Sequence, residues 1–165
     1  MKIIGLLLVF LSSLAIGVSK AEEYREKDKC INAFIEFLYF IRHEIFVYQT
    51  PQCKIFEKFQ NKYLESAGFI EDLRKNVLEG RNQPLFHTVK ELDKIKLDAE
   101  TRDILLSFAE SLGTLSVSEE CERCDRAVRQ LEEVYRKQKE ETKGKTRLCR
   151  SVGGMIGAGL VLLLW

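Results

Sequence analysis

The sequence predicts an all-α fold: a bundle of five or six helices over residues 20–147, held between terminal transmembrane helices at 1–19 and 148–165. Three observations lead there. Apolar residues in the middle of the chain recur at steps of three and four, the period of a helix face, and no alternating run is long enough for a strand. The chain has only two prolines, and its central glycines stand where helices would end. Both ends carry long uncharged runs.

The C-terminal run is Ser151–Trp165, SVGGMIGAGLVLLLW, preceded by Lys143, Lys145, Arg147 and Arg150 with no acid after Glu141. An apolar segment with a basic flank fits the positive-inside rule. At 1.5 Å per residue it reaches ~22 Å, short of the ~30 Å hydrocarbon core. Leu148 and Cys149 extend it if Arg147 and Arg150 snorkel. The N-terminal run, Ile3–Val18, follows Met1 and Lys2. It reads either as a retained anchor or as a signal peptide ending at Ser19-Lys20-Ala21. Lys20 between the small residues, and acids directly after them, favour retention. Cleavage would instead give a secreted or surface-anchored helical binding protein. With two anchors, the basic flank places the central region in the cytoplasm and both termini outside the cell membrane. Gly153 and Gly157 form a GxxxG spacing, and Ser13 and Gly17 a small-xxx-small spacing, both suited to close helix packing in lipid.

Between the runs, about 130 residues suffice for one domain, with ten phenylalanines and five tyrosines in the chain to build a core. A net charge of +1 gives no reason to expect nucleic acid as a partner. The five cysteines, Cys30, Cys53, Cys121, Cys124 and Cys149, are odd in number and irregularly spaced, a poor disulfide framework. Cys121-Glu-Arg-Cys124 lacks the strand context of a thioredoxin motif and the second pair of a zinc site. Cys121, Cys124, Val128, Leu131 and Tyr135 step by three and four, so the thiols read as small apolar groups on a helix seam. His43 and His87 are isolated in sequence.

The elements follow in order. From Ser19 to Gln49 there is no proline or glycine, so the first anchor can run straight into a long helix. Its soluble half, residues 30–49, has as its main apolar face Cys30, Ile31, Phe34, Phe37, Leu38, Ile41, Ile45 and Tyr48. A second apolar cluster holds Phe40 and Val47, with Tyr39 and Phe46 nearby. A helix apolar on more than one side is either central in its bundle, the favoured reading, or partner-binding, in which case Phe40 and Val47 are the candidate partner-facing residues. Thr50-Pro51 restarts the chain, with Thr50 as N-cap and Pro51 in the first helical position. The next helix presents Phe56, Phe59 and Tyr63 and ends at Gly68. Phe69, Leu73 and Val77 mark a short helix closed by Gly80. Pro84 opens another with Leu85, Val89 and Leu92. Asp98 caps a stronger one with Ile104, Leu105, Phe108 and Leu112, ended by Gly113. Ser116-Val-Ser-Glu119 fits a capping box for the last helix, with Ser118 the alternative cap, and Gly144 is the expected break before the second anchor.

No phosphate-cradling loop, nucleophile–base set or metal motif is present, so no catalytic, cofactor or metal residue is assigned, and neither is a small-molecule substrate. The chain as a whole resembles one family, stage III sporulation protein AB of endospore-forming bacteria. The residues that carry the likeness are Met1–Ser19; Phe37-Leu38 through Ile41-Arg42-His43-Glu44-Ile45 with Thr50-Pro51; Leu105–Gly113; and Arg150–Gly154 with Leu160–Leu164. Cys121 and Cys124 stand where the family usually has a polar helix start. The resemblance implies a membrane component of the channel assembly between mother cell and forespore. Its cytoplasmic domain would be similar to that of a type II secretion inner-membrane platform protein. The implied partners are membrane lipid and the other stage III sporulation A-operon proteins, among them the ATPase, stage III sporulation protein AA.

Overall fold

In the computed structural model of the chain, the first uncharged run and the face over residues 30–48 belong to one long helix, as the unbroken stretch from Ser19 to Gln49 predicts: α1, Lys2–Tyr48. The structure describes the backbone of residues 2–92, 95 and 97–164, and the side chains of residues 22, 24–92, 95 and 97–142. Five short helices follow: α2 Gln52–Lys58, α3 Lys62–Ser66, α4 Phe69–Leu78, α5 Pro84–Lys90 and α6 Ala99–Glu110. The last, α7, spans Val117–Leu164. Among the described residues every regular element is a helix and none is a strand.

The chain divides into two compact units, Lys27–Arg136 and the paired ends Met1–Glu26 with Lys137–Trp165. In the first, α4 packs on α2, α3 and α5, and α5 packs on α6. The core forms around α1, where Phe34, Phe37, Leu38 and Ile41 are fully buried. Phe37 is the hub: its ring centroid lies 4.8 Å from Phe59, 5.8 Å from Phe69 and 6.1 Å from Phe56. Phe34 meets Phe69 edge-to-face at 5.1 Å. Such tilted pairs add to the burial of large apolar area.

Several helix ends follow the sequence reading. Asp98 accepts from the Thr101 amide at 3.0 Å, capping α6, and Pro84 opens α5. At α7 the capping box closes in both directions. The Ser116 amide donates to Glu119 at 3.0 Å, and the Glu119 amide donates to Ser116 Oγ at 3.4 Å. The cap is therefore Ser116, not Ser118. Gly113 ends α6 in the left-handed region, φ 86°, and its amide donates to Glu120 at 2.7 Å. A Cβ there would also stand 3.0 Å from Gln52 Oε1.

Three expectations are corrected. The helix expected after Thr50-Pro51 is two helices. Phe59 adopts an extended conformation, and Asn61 caps α3 by accepting from the Tyr63 and Leu64 amides, at 3.0 and 3.1 Å. Lys27–Arg136 therefore contains seven helical segments, one more than the upper expectation. Thr50 does not cap α2; Pro51 stands at the cap position, and the Thr50 hydroxyl turns back to donate to Glu44 at 2.8 Å. Gly144 does not break α7, whose backbone hydrogen bonding continues past it. The anchors expected at 1–19 and 148–165, with Ser13, Gly17, Gly153 and Gly157, lie outside the residues whose side chains are described. Among the described residues no helix is long and apolar enough to cross a membrane.

Candidate partner-docking surface

The last three turns of α1 project two kinds of side chain from one stretch. At 100° per residue, Phe37, Leu38 and Ile41 face the core while Tyr39, His43, Phe46 and Val47 fall together on another side. That side is open: Tyr39 is 48 % exposed, Phe46 64 % and Val47 51 %, while Tyr48, on the core direction of the wheel, emerges at the helix end, 61 % exposed. Four large exposed apolar side chains within ten residues exceed the single exposed residues that any globular domain shows.

The two residues singled out by sequence have different surroundings. Phe40 is half-buried at the margin, its ring 5.2 Å from Phe59. Val47 is exposed beside Phe46. The sequence reading left Phe46 outside the partner-facing pair and put Tyr48 on the main core face. Tyr48 is instead exposed, with Lys58 Nζ 5.6 Å from its ring centroid and His43 edge-on at 5.6 Å. The second apolar cluster on the helical wheel was the signal for Phe46; nothing in the wheel shows where the neighbouring helices stop covering α1.

Polar contacts fix the rim. Arg42 Nε lies 2.6 Å from Asp125 Oδ1, with its guanidinium 5.9 Å from the Phe46 centroid. The Tyr39 hydroxyl donates to Glu132 at 3.2 Å. Partial burial and the Glu132 carboxylate beside it hold the Tyr39 phenol above its usual value. Under the patch, Glu44 is buried and accepts from Lys58 Nζ and Thr50 Oγ1, each at 2.8 Å. Those two bonds, Lys58 first, hold its carboxyl below the usual carboxylate range. The rim charges Arg42 and Lys58 thus already have partners, and the surface offers aromatic area stiffened by ion pairs. Tyr and Arg on a well-fixed base are the residue types that dominate protein interfaces.

A family model described as stage III sporulation protein AB matches residues 2–165. The chain belongs to the stage III sporulation protein AB family. Comparison with curated proteins and with solved structures returned no match. The family's description is that of a sporulation protein.

In this family member the cysteine seam of α7 is part of the core. Cys124 is fully buried, and Cys121, Val128 and Leu131 are buried beside it. Burial pushes the Cys124 thiol up to about 12 and raises Cys121 as well. A redox nucleophile needs the opposite, a thiolate favoured by nearby positive charge and access to solvent. His43 and His87 lie on different helices, α1 and α5. Among the described residues no three His, Cys, Asp or Glu side chains converge as metal ligands do. A cleft of about 650 Å³ beside α4 has mixed charges on its walls. Its Arg74 is committed to the carbonyls of Glu57 and Phe59, at 3.0 and 3.1 Å.

Proposed function

We propose that the chain is a non-enzymatic membrane platform of the stage III channel complex between mother cell and forespore, docking a secretion-type ATPase of the AA type. Family membership supports the sporulation role. The observation that carries the docking role is the open aromatic surface Tyr39–Phe46–Val47–Tyr48, fixed at its rim by Arg42–Asp125 and beneath by Glu44–Lys58. In this reading the segments 1–19 and 148–165, with their uncharged runs Ile3–Val18 and Ser151–Trp165, are retained anchors in the mother-cell membrane. The helical domain then lies in the cytoplasm, both termini lie outside, and the chain has membrane lipid and the other A-operon proteins around it. Phe46 and Val47 supply the buried centre of the contact, and Phe40 backs them from the core margin.

Two experiments test it. The full chain carrying Phe46→Asp and Val47→Asp is co-expressed with the operon's ATPase and purified. The reading expects ATPase capture to fall at least tenfold while Leu78→Asp, at an exposed leucine elsewhere, leaves it unchanged. Equal capture by both variants would remove the surface from the proposal. For topology, Cys53 is a natural reporter, being exposed in the folded domain. In intact cells of a Cys149→Ser strain it should resist an impermeant thiol reagent and react after lysis. Labelling from outside would place the domain beyond the membrane, exclude a cytoplasmic ATPase, and leave the secreted binding protein as the reading.

A further inference from the structure

The near-zero net charge conceals a division along the chain. Met1–Glu26 and Lys137–Trp165 hold nine basic and five acidic residues, whereas Lys27–Arg136 holds seventeen basic and twenty acidic. The excess is further concentrated: after Glu141 come Lys143, Lys145, Arg147 and Arg150, and then fifteen residues without charge. The other flank has no such excess, since Lys20 is followed by Glu22 and Glu23, and Arg25 is 3.9 Å from Glu22. Because α7 continues through this stretch, the four cationic positions lie within ~10 Å along one helix axis. Lys143, Arg147 and Arg150 step by four and three, so they share one stripe. Along the axis the positions span ~10 Å, about the Debye length at 0.1 M salt, so their charges add at one neighbouring surface.

We infer that Lys143, Lys145, Arg147 and Arg150 form a headgroup-binding belt that selects anionic phospholipid around α7. The inference rests on the anchored reading of the uncharged run. That run identifies the occupant: the apolar segment directly following the charges needs a hydrocarbon environment, and the surface found at its edge is a layer of phosphate headgroups. Juxtamembrane basic residues gain about fivefold in affinity each near an anionic leaflet. The contact would hold the platform in anionic regions of its membrane and fix the depth of α7.

The test uses the full chain in nanodiscs of phosphatidylcholine alone and of equal parts phosphatidylcholine and phosphatidylglycerol, followed by mild extraction and mass analysis of the retained lipid. Wild type should retain phosphatidylglycerol over phosphatidylcholine by roughly tenfold or more, and K143Q/K145Q/R147Q/R150Q should lose most of that preference. Replacing Lys54, Lys62 and Lys75 by Gln, in the helical domain, should leave it intact. Equal retention of the two lipids, or an undiminished preference in the four-site variant, overturns the inference. Displacement of the lipid by free inorganic phosphate, but not by chloride at matched ionic strength, overturns it also, since the site would then be one for a soluble anion. The anchor reading fails by a different sign, recovery of the chain in solution without detergent or lipid. That result overturns the belt as well, since no layer of headgroups then adjoins α7.

Discussion

Phe37 and Phe46 stand nine positions apart on one helix, and their surroundings assign them different work. Phe37 touches three other rings and is fully buried, so Phe37→Ala should cost about 3–5 kcal/mol and be visible as a large loss of the denaturant midpoint. Phe46 has Arg42 beside it and solvent over most of its surface, so Phe46→Ala should cost about 0.5–1 kcal/mol. A cost for Phe46 as large as that for Phe37 would mean that the surface is core, and the docking argument would lose its base. Glu44 shows the same division of labour in a charged residue. Its folded pKa is depressed by Lys58 and Thr50, so its contribution is fully present above the unfolded value of ~4.3 and is lost as pH falls through the lower folded value. Acid titration of wild type and Glu44→Gln should therefore give stability curves that separate above pH ~4.3 and converge below it. Parallel curves would assign the acid sensitivity to other carboxylates, of which Glu119, held down by Ser116, is one.

At the scale of elements, the ends of helices decide how α1 can finish in an open aromatic surface. Where Gly68, Gly80 and Gly113 take left-handed backbone at φ 77°, 67° and 86°, α1 ends instead on Gln49 at φ 46°. The Gln49 amide donates to Ile45 O and the Thr50 amide to Glu44 O, both at 3.2 Å, so the turn is closed by backbone bonds although its residue has a Cβ. Left-handed backbone costs a non-glycine residue roughly 1–2 kcal/mol, part of which glycine returns in unfolded-state entropy. Gln49→Gly should stabilise the domain by about 0.5–1 kcal/mol, read as a higher denaturant midpoint with an unchanged slope. A loss of stability would show that the glutamine side chain holds the turn. The same ends mark what was legible in the sequence. Asp98, Pro84 and Ser116–Glu119 carry their signals locally, in residue types whose side chains or rings satisfy the first turn, and they could be read. The restart at Asn61 could not be separated from a continuous face of Phe56, Phe59 and Tyr63, because all three still turn inward or half-inward after the break. Tyr48 was misplaced for a related reason. Helical periodicity gives the direction of a side chain and not the length of the helices packed over it: Ile45 is only half-buried, and Tyr48 is exposed beside Lys58.

For the whole molecule, the platform role proposed above would separate folding from assembly. The buried aromatic cluster, the capped short helices and the cysteine seam all lie within Lys27–Arg136, so that unit has its own source of stability. The sequence offers the ends nothing comparable in water: uncharged runs, with Gly153 and Gly157 at a spacing that lets two helices approach closely in lipid, and Ser13 and Gly17 at the matching small-residue spacing. In a bilayer, where lipid tails are as apolar as leucine, close approach depends on van der Waals contact between small residues rather than on expulsion of water. A leucine at Gly157 adds apolar surface that lipid accepts, while pushing any helix packed there outward. With the anchors proposed above, Gly157→Leu should therefore reach the membrane in normal amounts, and its Lys27–Arg136 unit should keep Cys124 protected from thiol reagents, as burial and its raised pKa require. What it should lose is complex formation, seen as a several-fold drop in co-purification of the other A-operon proteins from sporulating cells. Wild-type assembly would show that the glycines serve only helix flexibility. Loss of Cys124 protection would show instead that the ends contribute to folding of the domain, and the separation would not hold.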